Sequence, residues 1–82
     1  MGRYRKKPVV IEAIQWTGDN YEAVEAFAGY TRTMVPLDSV LGLFTLEGFK
    51  PCPIGYWIVK GVKGEFYPVD PEIFAMTYEE VE

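Results

Sequence analysis

Apolar positions fall in two rhythms along this chain. Val9 to Trp16 (Val-Val-Ile-Glu-Ala-Ile-Gln-Trp) is β-branched and nearly continuous in apolar character, which predicts a central strand covered on both faces. Glu12 interrupts it and shares a face with Val10, Ile14 and Trp16. Thr17-Gly18 turns the chain, and the rhythm then becomes helical. Tyr21, Val24 and Phe27-Ala28 form one apolar stripe while Glu22 and Glu25 face water, predicting a helix over Tyr21 to Ala28. Asp19 or Asn20 caps it, Asp19 with Glu22 has capping-box spacing, and Gly29 ends it.

The second half reads as short strands divided by glycine and proline. Thr31 to Val35 is a short strand closed by Pro36, and Leu37 to Val40 is irregular. Gly42 to Glu47 is a strand, Glu47-Gly48 a turn, and Phe49 to Cys52 a further short strand. Pro51 and Pro53 each lack a backbone donor, so that piece belongs at an edge or in a loop. Strands at Tyr56–Lys60 and Glu65–Tyr67 meet at a glycine-flanked Val62-Lys63 turn, the pattern of a hairpin with a short loop. Asp70-Pro71 opens a short helix to about Met76, with Ile73 and Phe74 pointing inward. Tyr78 to Val81 adds a last strand. The expected fold is α+β: one compact domain over residues 1–82, a small, mainly antiparallel sheet, one principal helix and a short C-terminal helix.

Composition narrows the functions this fold could serve. The 82 residues include no histidine, one cysteine and one serine. Histidine is the commonest general acid–base, Ser39 has no obvious base, and no glycine-rich loop cradles phosphate ahead of a helix. The expectation is a protein that is not an enzyme, with no metal and no cofactor. Cys52 cannot form an internal disulfide, and it reads as structural. A chain this small, without disulfide or metal yet 16% aromatic, gains from burying surface against another copy, so a homo-oligomer is expected.

The formal charge of −4 argues against duplex nucleic acid. No apolar segment approaches the roughly 20 residues that span a membrane, and the basic start lacks the long apolar run of a signal peptide. Both point to the cytoplasm.

Charge is uneven along the chain. Arg3, Arg5, Lys6 and Lys7 crowd the beginning; Glu79, Glu80 and Glu82 crowd the end. Arg5, Lys7, Lys60 and Lys63 could together clamp phosphate. Trp16, Tyr56, Trp57 and Tyr67 could offer rings for stacking, and Glu12 could accept from a ligand amino group. Each has a plainer role. Trp16 and Trp57 are read first as core, Glu12 first as an edge carboxylate, and the lysines first as solvated turn residues. Alternation along the strand puts Tyr56 and Lys60 on one face and Trp57 on the other.

Three blocks carry a resemblance. They are Arg5-Lys6-Lys7-Pro8-Val9-Val10-Ile11-Glu12-Ala13-Ile14-Gln15-Trp16-Thr17-Gly18, then Thr45-Leu46-Glu47-Gly48, then Lys60 to Pro68 continuing through Pro71-Glu72-Ile73-Phe74 to Thr77-Tyr78-Glu79. Together they resemble a family of small phage and prophage proteins, the PGDYG-domain proteins. Members usually carry Gly-Asp before the aromatic that starts the hairpin; this chain has Gly55-Tyr56-Trp57, with Tyr56 in place of the acid. The resemblance implies a viral protein acting in the host bacterial cytoplasm. Small non-catalytic phage proteins include sponges that sequester nucleotide second messengers of bacterial immunity, such as the anti-CBASS sponges. The expected function is therefore to bind and sequester a signal such as a cyclic dinucleotide. The rival is an adaptor or structural protein that binds a host or virion protein.

Overall fold

The computed structural model describes residues 1–4, 9–29, 33–37 and 40–81. The order is β1 (Glu12–Gln15), α1 (Tyr21–Ala28), β2 (Thr33–Leu37), β3 (Val40–Thr45), β4 (Gly48–Cys52), β5 (Trp57–Lys60), β6 (Phe66–Val69) and α2 (Pro71–Thr77). The strands form two three-stranded antiparallel sheets, ordered β1-β5-β6 and β2-β3-β4. This is the α+β class that the two rhythms predict. The core lies between the sheets and under α1, which packs against β2 and β5. Trp16, Val24, Leu41, Leu43, Cys52 and Ile58 are fully buried there.

The helix follows its stripe. Val24 and Ala28 are buried, with Tyr21 and Phe27 packed against the core. Gly29, at φ +89°, donates its N–H to the Glu25 carbonyl at 2.7 Å and stops the helix. Its start departs from the capping box. Asn20 holds the cap position, but its Oδ1 accepts from the Thr17 N–H and its Nδ2 donates to the Gln15 carbonyl. Asp19 instead accepts from the Thr17 hydroxyl at 2.7 Å. Asn20 ties the helix start back to Gln15 of β1 rather than satisfying the helix's first amides, and Asp19 braces the intervening turn.

The predicted central strand is corrected. β1 spans four residues at the end of its sheet, and β5 is the middle strand. Val9 and Val10 are 47% and 79% exposed. The apolar run is continuous because Ile14 and Trp16 face the core, not because both faces are covered.

Pro36 does not close a strand but lies inside β2, at the sheet edge, where the register shifts between Met34 and Leu37. A proline is tolerated there because an edge strand has one side without ladder bonds. The predicted start at Thr31 lies outside the described residues, as do Asp38 and Ser39. Leu37 and Val40, read as irregular, pair across a hairpin. The next turn falls at Leu46-Glu47, one residue early, and Gly48 at φ +104° begins β4. β4 is an edge strand, as Pro51 predicts, and Pro53 lies just past its end.

Asp70 caps α2 by accepting from the N–H groups of Glu72 (2.8 Å) and Ile73 (3.4 Å), with Pro71 at the first helical position. Phe74 turns inward as expected, whereas Ile73 is 56% exposed. Residues 78–81 form no strand. Tyr78 instead packs on Phe74, with ring centroids 5.0 Å apart. Among the described residues, no helix is long and apolar enough to cross a membrane.

Candidate ligand groove

Register decides which side chains share a face. In β1-β5-β6, Glu12, Lys60 and Phe66 stand opposite one another, as do Ala13, Val59 and Tyr67, then Ile14, Ile58 and Pro68, then Gln15, Trp57 and Val69. The face holding Ile14, Ile58 and Phe66 turns to the core. The other face holds Trp57, Val59 and Tyr67. Trp57 stacks on Phe74 of α2, centroids 4.1 Å apart and planes 4° from parallel.

This geometry divides the nine residues singled out in the sequence. Arg5 and Lys7 lie outside the described residues. Trp16 is 0% exposed and offers no ring face to a ligand, so its candidacy as a stacking platform is corrected. Its apolar bulk closes the core instead. Tyr56 packs against the same core. Trp57 sits on the opposite face, as alternation requires, and Phe74 takes its ring. Tyr56 and Lys60 are four residues apart, about 13 Å at roughly 3.3 Å per residue. Tyr56 and Trp57 therefore lie at the far end of β5 from Lys60, whereas Phe66 and Tyr67 are at its own end of the sheet. Glu12 and Lys60, both exposed, are cross-strand neighbours near the Lys63 turn.

The hairpin turn itself is firmly built. The Gly61 N–H donates to the Glu65 carbonyl at 2.7 Å, and the Gly64 N–H donates to the Gly61 carbonyl at 3.0 Å. Gly64 takes φ +84°, the left-handed position this loop requires. Glu65 Oε2 accepts from the Lys63 N–H at 3.0 Å. Lys63 is exposed on this firmly held turn.

Beside that hairpin runs a groove of about 320 Å³. One wall is the β3–β4 turn, with Thr45, Leu46, Glu47 and then Lys50; the other is the start of β6, from Glu65 to Pro68. The Thr45 hydroxyl donates to the Gly48 carbonyl at 2.8 Å and accepts from the Glu47 N–H at 3.1 Å, which fixes the first wall. Leu46 is 80% exposed at the rim. Burial, then a hydrogen bond with Tyr78 and the charge of Glu65, push the Tyr67 phenol up to about 12, so it stays neutral at physiological pH. The groove thus combines an ammonium, two carboxylates, a neutral phenol and apolar walls.

Sequence reading missed Lys50, Leu46 and Glu47. Their approach to β6 depends on how one sheet packs on the other, which no local pattern encodes. The available signal was the pairing of two blocks noted above: Thr45-Leu46-Glu47-Gly48 and the run ending in Glu65-Phe66-Tyr67-Pro68 supply most of the groove.

A second, open depression of about 600 Å³ lies at the start of α1. It carries Asp19 and Glu22 and no cation, which suits no anionic ligand. Among the described residues, no three His, Cys, Asp or Glu gather as metal ligands. Burial raises the Cys52 thiol from its ordinary 9.0 to about 12. Native protein should therefore react with a disulfide reagent at pH 8 only at the rate of unfolding. The unfolded thiol ionises above pH 9 while the folded one does not, so this group lowers stability as pH rises from 9 towards 12. Urea titrations with wild type and Cys52→Ala at pH 8 and 10.5 check this; the pH-dependent loss should be smaller in the variant.

Comparison with protein-family models, with curated proteins and with solved structures finds no match.

Proposed function

We propose that the protein is a non-catalytic binding protein that holds a nucleotide, of the cyclic dinucleotide class, in the groove between the β3–β4 turn and β6. The observation that carries this reading is the groove's mixed lining. A bare anion would be repelled by Glu47 and Glu65. A nucleotide brings phosphate for Lys50 together with base amino groups that donate to a carboxylate. Leu46 and Pro68 supply apolar surface for a ring. Lys60 is the cross-strand partner of Phe66, which lines the groove, so in this reading Lys60 adds a cation beside it. The resemblance to small phage proteins adds the setting: a viral sponge acting against bacterial immunity in the host cytoplasm.

A thermal-shift panel of cyclic di- and trinucleotides tests the reading. Ligand at 100 times its dissociation constant adds about 2.7 kcal/mol, worth roughly 4–8 °C per kcal/mol in a domain of this size. A flat panel at millimolar ligand removes the nucleotide reading.

The adaptor reading rests on a separate observation. The outer face of β3 and β4 exposes Val40, Phe44, Phe49 and Pro51, and the two phenylalanine rings meet edge to face at 5.4 Å. With a flat nucleotide panel, an apolar segment of a host or virion protein on this face becomes the leading function.

A further inference from the structure

The polar side chains that line the groove are not equally free. The Thr45 hydroxyl donates to the Gly48 carbonyl and accepts from the Glu47 N–H. The Tyr67 hydroxyl is engaged with Tyr78. Glu65 folds back over its own turn. Its Oε2 accepts from the Lys63 N–H at 3.0 Å, and its Oε1 occupies the space that a Cβ at Gly61 would need. The Glu47 carboxylate and the Lys50 ammonium remain. Neither forms a hydrogen bond or an ion pair among the described residues. Both are exposed on the same wall, Glu47 in the turn and Lys50 within β4.

One free acceptor and one free donor discriminate among bases. An ionised carboxylate has only lone pairs to offer, so its best partner is an edge with two donors side by side. Guanine has such an edge: N1–H and the N2 amino group can donate in parallel to the two oxygens. Adenine sets the lone pair of N1 beside its one amino group, and cytosine sets N3 beside its own. Uracil flanks its single edge N–H with two carbonyls. Each of these three turns a lone pair towards the carboxylate while making one bond to it. The ammonium is then left for phosphate. At about 320 Å³ the groove is near the small end of the roughly 300–1,000 Å³ range of ligand sites, which suits one nucleoside unit of a cyclic dinucleotide.

Within the nucleotide reading, on which this step rests, we infer that the groove selects guanine. Glu47 accepts from N1–H and the N2 amino group of one base, and Lys50 holds the neighbouring phosphate. Glu65 is the bystander carboxylate, held in the hairpin turn by Lys63 and Gly61.

Calorimetry with the guanosine, inosine and adenosine forms of one cyclic dinucleotide tests this on wild type and on Glu47→Gln. Hypoxanthine keeps N1–H and lacks only the N2 amino group, so it isolates the second bond. Wild type should prefer the guanosine form to the adenosine form by roughly ten- to a hundred-fold, with the inosine form between them. Glu47→Gln replaces two acceptors by one acceptor and one donor, the pattern that matches adenine, so the preference should collapse or reverse. Glu47 is exposed, and circular dichroism checks that the variant keeps its fold. Equal or tighter binding of the adenosine form by wild type overturns guanine selection and leaves the nucleotide reading standing. A guanine preference that survives Glu47→Gln overturns Glu47 as the reader. No binding of any of the three forms overturns this inference and the nucleotide reading together.

Discussion

Trp16→Ala is expected to destabilise the domain by about 3–5 kcal/mol, the range for removing a large buried aromatic. Trp16 is fully buried in the core cluster that also holds Val24 of α1, Leu41 and Leu43 of β3, and Ile58 of β5. A domain of this size has roughly 4–12 kcal/mol in total. The loss therefore takes away a large share of the stability, and with a total near the bottom of that range, about 4–5 kcal/mol, it unfolds the protein at room temperature. The backbone bond from Trp16 to Tyr56 does not need the indole, so the effect comes from the cavity. Urea denaturation followed by circular dichroism measures it. Leu46→Ala, at an 80% exposed position, is the matched control and should change stability by less than about 0.5 kcal/mol. A Trp16→Ala loss under about 1 kcal/mol would mean that the two sheets do not close over this ring.

The periodic features of the chain were legible because they are local. The α1 stripe, the Gly29 stop, the Asp70-Pro71 start and the Lys63 hairpin each follow from a few adjacent residues. The errors arose where a local pattern has two three-dimensional answers. A continuous apolar run fits a central strand, but it also fits an edge strand followed by a buried tryptophan, as in β1. Pro36 reads as a terminator until the strand is known to be at an edge. Ile73 and Phe74 are adjacent, and only the stack on Trp57 decides which turns inward.

The candidate site was less legible for the same reason. Trp16 and Trp57 read first as core and second as stacking surfaces, with Tyr56 as a further ring, because aromatic composition does not report burial. Core packing and Phe74 occupy them. Lys50 looked ordinary because nothing near it in sequence is chemically suggestive. It acquires a role only when the β3–β4 turn meets β6. Lys60 ends β5 and Lys63 sits in the hairpin turn, both exposed, and neither lines the groove.

Charge reversal at Lys50 is expected to have the largest effect on ligand binding. Lys50 is the ammonium within the groove lining, beside Glu47 and Glu65. Lys50→Glu removes a charge-assisted contact to phosphate and adds a third carboxylate. Losing a hydrogen bond to a charged group costs about 1.5–3 kcal/mol, and the added repulsion takes the weakening to at least about 100-fold. Lys60→Glu, beside the groove, should weaken binding less and lose its effect as salt screens the exposed charge. Lys50 is exposed, so the fold should persist in the variant. Isothermal calorimetry with cyclic dinucleotides on wild type and Lys50→Glu is the most direct test of the central claim. The account predicts micromolar or tighter binding by wild type and none detectable by Lys50→Glu at the same concentrations. Equal binding by the two proteins would contradict the groove as the site, and no binding by wild type at tens of micromolar would contradict the nucleotide itself.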